Sequence, residues 1–204
     1  MSKGRLSWCQ EHQQDVYVQQ AAQEGYRSRA VYKLAQMDER DRLLRPGMTV
    51  VDLGAAPGGW SQWVKQRLNQ QVHLVALDIT PIVPLPGVTF IQGDFREQAT
   101  LDTLLHHLAG RKVDLILSDM SPAMSGIKVV DQARAMLLAE LARDFALEVL
   151  AQQGHFLTKL FQGEGFDSYV KKLKSLFKQV VIRKPLASRA RSAEVYLLAK
   201  YYVM

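Results

Sequence analysis

From Thr49 onward the chain alternates short apolar runs with longer stretches in which apolar positions recur at helical spacing. A run such as Val113-Asp-Leu-Ile-Leu-Ser118 is too short for a helix and reads as a buried strand. Strands are predicted at Thr49–Leu53, His73–Leu77, Thr89–Gln92, Val113–Ser118 and His155–Phe161. Two more, Val180–Arg183 and Val195–Tyr202, are close enough in sequence to pair antiparallel at one edge. Helices fit Trp60–Leu68, Leu101–Leu108, Gln132–Leu150 and Phe166–Phe177. The longest is predicted to start at an Asp131 N-cap and to end before Gly154, with Met136, Leu137, Leu141 and Phe145 packed on the sheet. Before Pro46 the pattern gives two further helices, Asp15–Gln23 and Ser28–Asp41, capping the sheet. Thr80-Pro-Ile-Val-Pro-Leu-Pro-Gly87 can continue neither element and should be an irregular surface connection. This alternation predicts an α/β fold, a largely parallel sheet with helices on both faces.

Composition changes little in that picture, but it limits the chemistry. The 204 residues, 48% hydrophobic and 23% charged, suit one globular domain, residues 1–204. No apolar run reaches the roughly 18 residues of a membrane span, and the first residues lack the apolar stretch of a signal peptide, so a cytoplasmic protein is expected. With Cys9 the single cysteine, neither an internal disulfide nor a cysteine-rich zinc site can form, and the five histidines show no ligand spacing. The net charge of +6 is uneven: nine Lys or Arg against two acidic residues from Gly165 to Met204, eight against six in residues 1–45, and nine against twelve between. Such segregation favours a polyanion such as nucleic acid. For Lys171, Lys172, Lys174 and Lys178 a solvated helix face explains the charge equally well.

The most informative segment is Val50-Val-Asp-Leu-Gly-Ala-Ala-Pro-Gly-Gly-Trp60, a strand running through a glycine-rich turn into a helix. Gly54 tolerates backbone angles closed to other residues, and Gly58 and Gly59 would let a ligand approach the main chain at the helix start. A triphosphate-binding loop would end in Gly-Lys-Ser or Gly-Lys-Thr, which is absent, and the spacing fits the dinucleotide pattern G-x-G-x-x-G poorly. The turn resembles that of S-adenosylmethionine-dependent methyltransferases, in which an acidic residue closing the second strand holds the ribose; Asp78 stands there. Gly54, Asp78, Asp94, Asp119 and Lys159 all fall at or just after predicted strand ends, where sheets of this kind bind ligands. Ser118-Asp-Met-Ser-Pro122 lacks the second proline and the aromatic residue used by methyltransferases of exocyclic amino groups.

Taken in order, Ser28–Lys33, Val51–Trp60, Gly93–Phe95, Ser118–Pro122, Lys159–Gly163 and Ser188–Tyr196 resemble the FtsJ/RrmJ family of ribosomal RNA 2′-O-methyltransferases over nearly the whole chain. The resemblance implies a Rossmann-like methyltransferase core at 46–204, with a seven-stranded, mostly parallel sheet, behind an N-terminal basic helical cap at 1–45. It implies S-adenosyl-L-methionine as cofactor and the ribose 2′-hydroxyl of a uridine in 23S rRNA, within the 50S subunit, as acceptor. The family's Lys-Asp-Lys-Glu tetrad falls on Lys33, Asp119, Lys159 and Glu194. The cofactor residues fall on Gly54, Gly58 and Trp60 for the methionine part, with Pro57 and Gly59 in the same turn, on Asp78 for the ribose, on Asp94 and Phe95 for adenine, and on Asp119 for both ligands.

A ribose hydroxyl is a weak acid, so a basic group must take its proton as the methyl is displaced, and Lys159 is the candidate. A lysine normally titrates near about 10.4. Lys33 would lower that value while Asp119 and Glu194 would raise it, so the four groups form a coupled set; a Lys159 that stayed charged would orient the hydroxyl instead. RNA would cross Arg27, Arg29, Arg189, Arg191 and the basic C-terminal helix; Tyr26, Tyr32 and Tyr196 could stack on bases, although tyrosines beside strands are more often half-buried core. A monomer is expected. The alternatives are a 2′-O-methyltransferase of tRNA or an mRNA cap, and a non-catalytic RNA-binding ribosome assembly factor.

Overall fold

The computed structural model describes residues 14–189 and 192–203. Arg191, one of the expected RNA contacts, and Cys9 lie outside the described residues. Seven strands form one sheet: β1 (Met48–Leu53), β2 (Val72–Asp78), β3 (Val88–Gln92), β4 (Val113–Ser118), β5 (Leu150–Phe161), β6 (Phe177–Arg183) and β7 (Glu194–Tyr202). Their order is β3-β2-β1-β4-β5-β7-β6, parallel except that β7 runs antiparallel to both neighbours. The strand order therefore reverses between β1 and β4, the switch point at which such sheets open a crevice for ligands.

Among the described residues there are six helices, α1 (Val16–Gln23), which packs on α2, and α2 (Val31–Asp41), α3 (Gly59–Arg67), α4 (Gln98–Leu108), α5 (Lys128–Val149) and α6 (Phe166–Leu176), which cover the two faces. Alternation along each strand divides the core. Val50, Leu115, Leu117, Leu157 and Leu198 pack with Leu34 and Met37 of α2 and Trp60 and Val64 of α3. Val51, Leu53, Ile116, Phe156 and Leu197 pack with Leu104 of α4, Ala142 and Phe145 of α5, and Tyr169 and Leu173 of α6. Among the described residues no helix is long and apolar enough to cross a membrane.

Two expectations for the long helix need correction. It begins three residues before Asp131, with Ile127 at the N-cap position, and Asp131 instead reaches back to accept hydrogen bonds from the Ser125 and Gly126 amides at 2.7 and 3.0 Å. Of its apolar residues, Met136 and Phe145 are buried and Leu141 packs on the core, whereas Leu137 is 48% exposed and lines a cavity. β5 also starts five residues earlier than expected. It follows the helix without a turn, and its register against β4 shifts between Val113 and Leu115; that irregularity, with Gln153 at φ 66°, makes the opening of the strand read as a break.

Candidate functional site

The ends of β1 to β4 enclose a cavity of about 550 Å³. Gly54 closes β1 at φ 77°, and a Cβ there would lie 2.7 Å from the Met120 nitrogen, so a side chain at this turn would meet both backbone strain and a clash. The turn is tied into the sheet: the Gly54 amide donates to the Leu77 carbonyl at 2.9 Å and the Asp119 amide to the Leu53 carbonyl at 3.0 Å. Asp78 accepts from the Ala56 amide at 2.9 Å and the Thr80 amide at 2.8 Å, which aims its carboxylate along the cavity wall. Asp94 is bound by its neighbour Arg96 through the amide at 2.9 Å and the guanidinium at 2.5 Å, and these hydrogen bonds hold its carboxyl below the usual range. Phe95, almost fully buried, lies beside both and meets Phe145 edge-on.

The turn places its other residues differently from expectation. Pro57, Gly58, Gly59 and Trp60 are not among the cavity-lining residues. A Cβ on Gly59 would stand 2.6 Å from the Ser28 hydroxyl and one on Gly58 3.0 Å from the Arg27 guanidinium, so it is the N-terminal cap that makes the close approach these glycines permit. Trp60 is a core aromatic here: 3% exposed, it donates from Nε1 to the Ala30 carbonyl at 2.7 Å and packs on Tyr196.

The tetrad assembles beside the cavity on the α2 and α3 face of the sheet. The β5–β7 register sets Lys159 opposite Tyr196, and Glu194 lies two residues before Tyr196, so all three project to one face. Lys33 descends from α2 onto this face and pairs with Glu194 at 2.7 Å, which also accepts from the Ser188 hydroxyl at 2.9 Å. Asp119, just beyond β4, pairs with Lys159 at 3.1 Å, and the same Lys159 nitrogen donates to the Asp119 carbonyl at 2.6 Å. Tyr196 joins the two pairs: its hydroxyl accepts from Lys33 at 3.2 Å and donates to Asp119 Oδ1 at 2.8 Å.

Burial alone would raise the Asp119 carboxyl, but Lys159 and then Lys33, with the Tyr196 and Lys159 hydrogen bonds, hold it below the usual range. Burial, reinforced by the Asp119 and Glu194 charges, pushes the Tyr196 phenol well above its ordinary value, so it stays protonated and donates. Of the two readings open to Tyr196 in the sequence, base stacking or core, the structure takes the core. At 0% exposure it cannot stack on a base, and only its period-two spacing from Glu194 marked it for the inner face. Tyr32 is likewise excluded, being 9% exposed with its hydroxyl given to Glu24.

The arginines expected at RNA have partners of their own. Arg27 donates to the Pro57, Val83 and Pro84 carbonyls, tying the proline-rich loop to the cap. Arg29 pairs with Asp15, donates to the Ala187 carbonyl and lies over the Tyr17 ring, which makes it a structural cation. Arg189 stands 4.0 Å from Asp15. The lysines of α6 are exposed, but the helix follows the C-terminal end of β5, where the tetrad lies, and Lys178 just beyond it bonds Gln153 near the opposite, N-terminal end of that strand.

Comparison with known proteins follows the same lines. The model of the FtsJ-like methyltransferase family matches residues 26–202. A Chromohalobacter salexigens protein named Ribosomal RNA large subunit methyltransferase E is 56% identical over 199 residues, covering 98% of this chain and 95% of its own. Its namesake from Alkalilimnicola ehrlichii is 58% identical over 197 residues, 97% and 94% of the two chains. Among solved structures, a Plasmodium falciparum protein described as a ribosomal RNA methyltransferase superposes with a TM-score of 0.79 at 28% identity, over 87% of this chain and 98% of that one. A Streptococcus mutans protein described as a methyltransferase in complex with SAH shares the fold at a TM-score of 0.52 and 11% identity, over 82% and 95%.

Proposed function

The chain belongs to the FtsJ-like methyltransferase family, and from that premise we propose that it transfers a methyl group from S-adenosyl-L-methionine to a ribose 2′-hydroxyl of large-subunit ribosomal RNA. The observation that carries the 2′-hydroxyl assignment is the continuous line of polar contacts Glu194–Lys33–Tyr196–Asp119–Lys159, in which Asp119 lines the cavity and Lys159 stands beside it.

The residues present fit the cofactor. A volume of about 550 Å³ is in the range of small-molecule sites. The Asp78 carboxylate supplies acceptors for ribose hydroxyls, Phe95 an apolar wall for a base, and Gly54 an open backbone. Asp78, Asp94 and Asp119 face the cavity against Arg96 and Arg134, a balance that suits a ligand of net positive charge. When bound, the cofactor supplies an electrophilic methyl group on a sulfonium centre. Asp94 takes part through its backbone and the Arg96 pair, since its carboxylate is already engaged.

Lys159 acts on the acceptor. Its nitrogen spends two hydrogens on the carbonyl and the carboxylate of Asp119, so one tetrahedral direction is left for the substrate hydroxyl. In the neutral amine that direction holds a lone pair that takes the hydroxyl proton; in the ammonium it holds a hydrogen that orients the hydroxyl and stabilises developing negative charge. Asp119 fixes the nitrogen, while Tyr196 and Lys33 fix Asp119. Lys33 is supplied by the cap and the other groups by the core, so we treat cap and core as one catalytic unit.

Labelled methyl transfer to 50S subunits, free 23S rRNA and tRNA from cells lacking the protein tests this reading and its finer points: 23S rRNA within the 50S subunit, a uridine target and a monomeric enzyme. Label is expected in one uridine ribose of the 50S sample, at a rate proportional to enzyme concentration. Label in tRNA, or in no RNA, would contradict it.

A further inference from the structure

Between β4 and α5 the segment Met120–Ile127 has no regular structure, and it leads from Asp119 to a group of exposed apolar side chains. Met124 is 62% exposed, Ile127 61% and Val130 36%. Val130, Arg134 and Leu137 are spaced i, i+4 and i+7, so they share one face of α5. Arg134 and Leu137 line the cavity, and Val130 carries the same face past its rim; Pro122 and Ala123 do the same from the loop side. The apolar surface is therefore continuous with the cavity wall.

This ledge is held in shape. Asp131, 6% exposed, accepts from the Ser125 amide and hydroxyl, both at 2.7 Å, and from the Gly126 amide at 3.0 Å. The Arg134 guanidinium lies 3.5 Å from the Ala123 carbonyl. A loop pinned from behind while its apolar side chains face outward is pre-organised for a partner, because little ordering remains when the partner arrives. Charge narrows the choice of partner. From Met120 to Arg134 the cations are Lys128 and Arg134, both exposed, whereas the single carboxylate, Asp131, is turned inward. Apolar side chains flanked by cations fit nucleic acid with unstacked bases: the apolar groups fill the space left by an extruded nucleotide and the cations meet phosphates.

We infer that Met124, Ile127 and Val130 form a wedge that holds the unstacked bases beside the ribose addressed by Lys159. The inference rests on the RNA methyl-transfer reading and adds to it the surface that presents the target. The wedge captures RNA and takes no part in the chemistry.

The test combines Ile127→Ser with Val130→Ser and measures single-turnover transfer to 50S subunits, cofactor affinity and RNA affinity against salt. KM for RNA is expected to rise at least fivefold, with kcat and cofactor affinity within twofold of the unaltered protein and Tm unchanged. The salt slope of RNA binding stays the same, since no phosphate contact is lost, whereas Lys128→Gln lowers it by about one. An unchanged KM in the folded double variant overturns the wedge. So does an unaltered protein that sediments as a dimer which the variant dissolves, because a second copy would then cover the ledge. If the unaltered protein methylates no RNA, the functional reading fails and the wedge falls with it.

Discussion

Asp52 gives the sharpest pH prediction. It lies in β1 at 0% exposure, with Oδ2 accepting from the Ser61 hydroxyl at 2.7 Å and Oδ1 without a partner among the described residues. Burial, helped by Asp119 and Asp78 and opposed by Ser61, pushes its carboxyl up to about 7. An acid whose pKa is raised on folding favours the folded state while protonated. Its contribution is full below the unfolded value of about 3.9 and is lost as pH rises through about 7, after which it changes no further. At about 1.4 kcal/mol per pKa unit, the rise amounts to roughly 4 kcal/mol, an upper bound given local relaxation. Asp52→Asn keeps an acceptor for Ser61 and cannot ionise. The variant should therefore gain on the parent between about pH 5 and pH 8 by roughly 2–4 kcal/mol, then level off. At roughly 2–4 °C per kcal/mol for a chain of this length, Tm should rise on the order of 5–10 °C at the upper pH. Thermal and urea unfolding of both proteins across that range measures the difference, in which the histidines cancel. A stability difference that is flat with pH would refute a buried, titrating Asp52.

Tyr196→Phe removes the hydroxyl between Lys33 and Asp119 and leaves charged groups short of a partner. Stability should fall by about 1–3 kcal/mol and single-turnover rate by about tenfold, with cofactor affinity, read by calorimetry, nearly unchanged. Gly54→Ala would place a methyl 2.7 Å from the Met120 nitrogen at a positive φ. It should weaken cofactor binding at least tenfold and lower Tm, and equal affinity would show that the turn yields freely. Arg29→Gln should destabilise the fold by about 1–3 kcal/mol while leaving the salt slope of RNA binding intact, because its guanidinium is spent on Asp15 and Ala187.

Much of the fold was legible because the strands are continuous apolar runs: Val113–Ser118 matches the expectation, and β1, β2 and β3 are each within a residue of it at either end. Local signals failed where a side chain looked backward or a strand was irregular. Asp131 has the chemistry of an N-cap but caps the preceding loop, and the Gln152-Gln153-Gly154 stretch hides the opening of β5. The tetrad is another matter. Lys33 and Glu194 are 161 positions apart in sequence, and no spacing rule joins them; the family resemblance named them, and the β5–β7 register with the α2 docking shows why they meet. Trp60 and Tyr196 were ambiguous for one reason: a large aromatic next to a ligand turn can face ligand or core, and only the packing of the cap on the sheet turns both inward.

The most direct test of the account replaces Lys159 by Ala and measures labelled methyl transfer to 50S subunits together with cofactor affinity. Transfer should fall by at least a thousandfold with cofactor affinity within a few-fold of the parent, because Lys159 is bound to Asp119, is proposed to act on the acceptor, and is not among the residues lining the cofactor cavity. Near-normal transfer by that variant would contradict it.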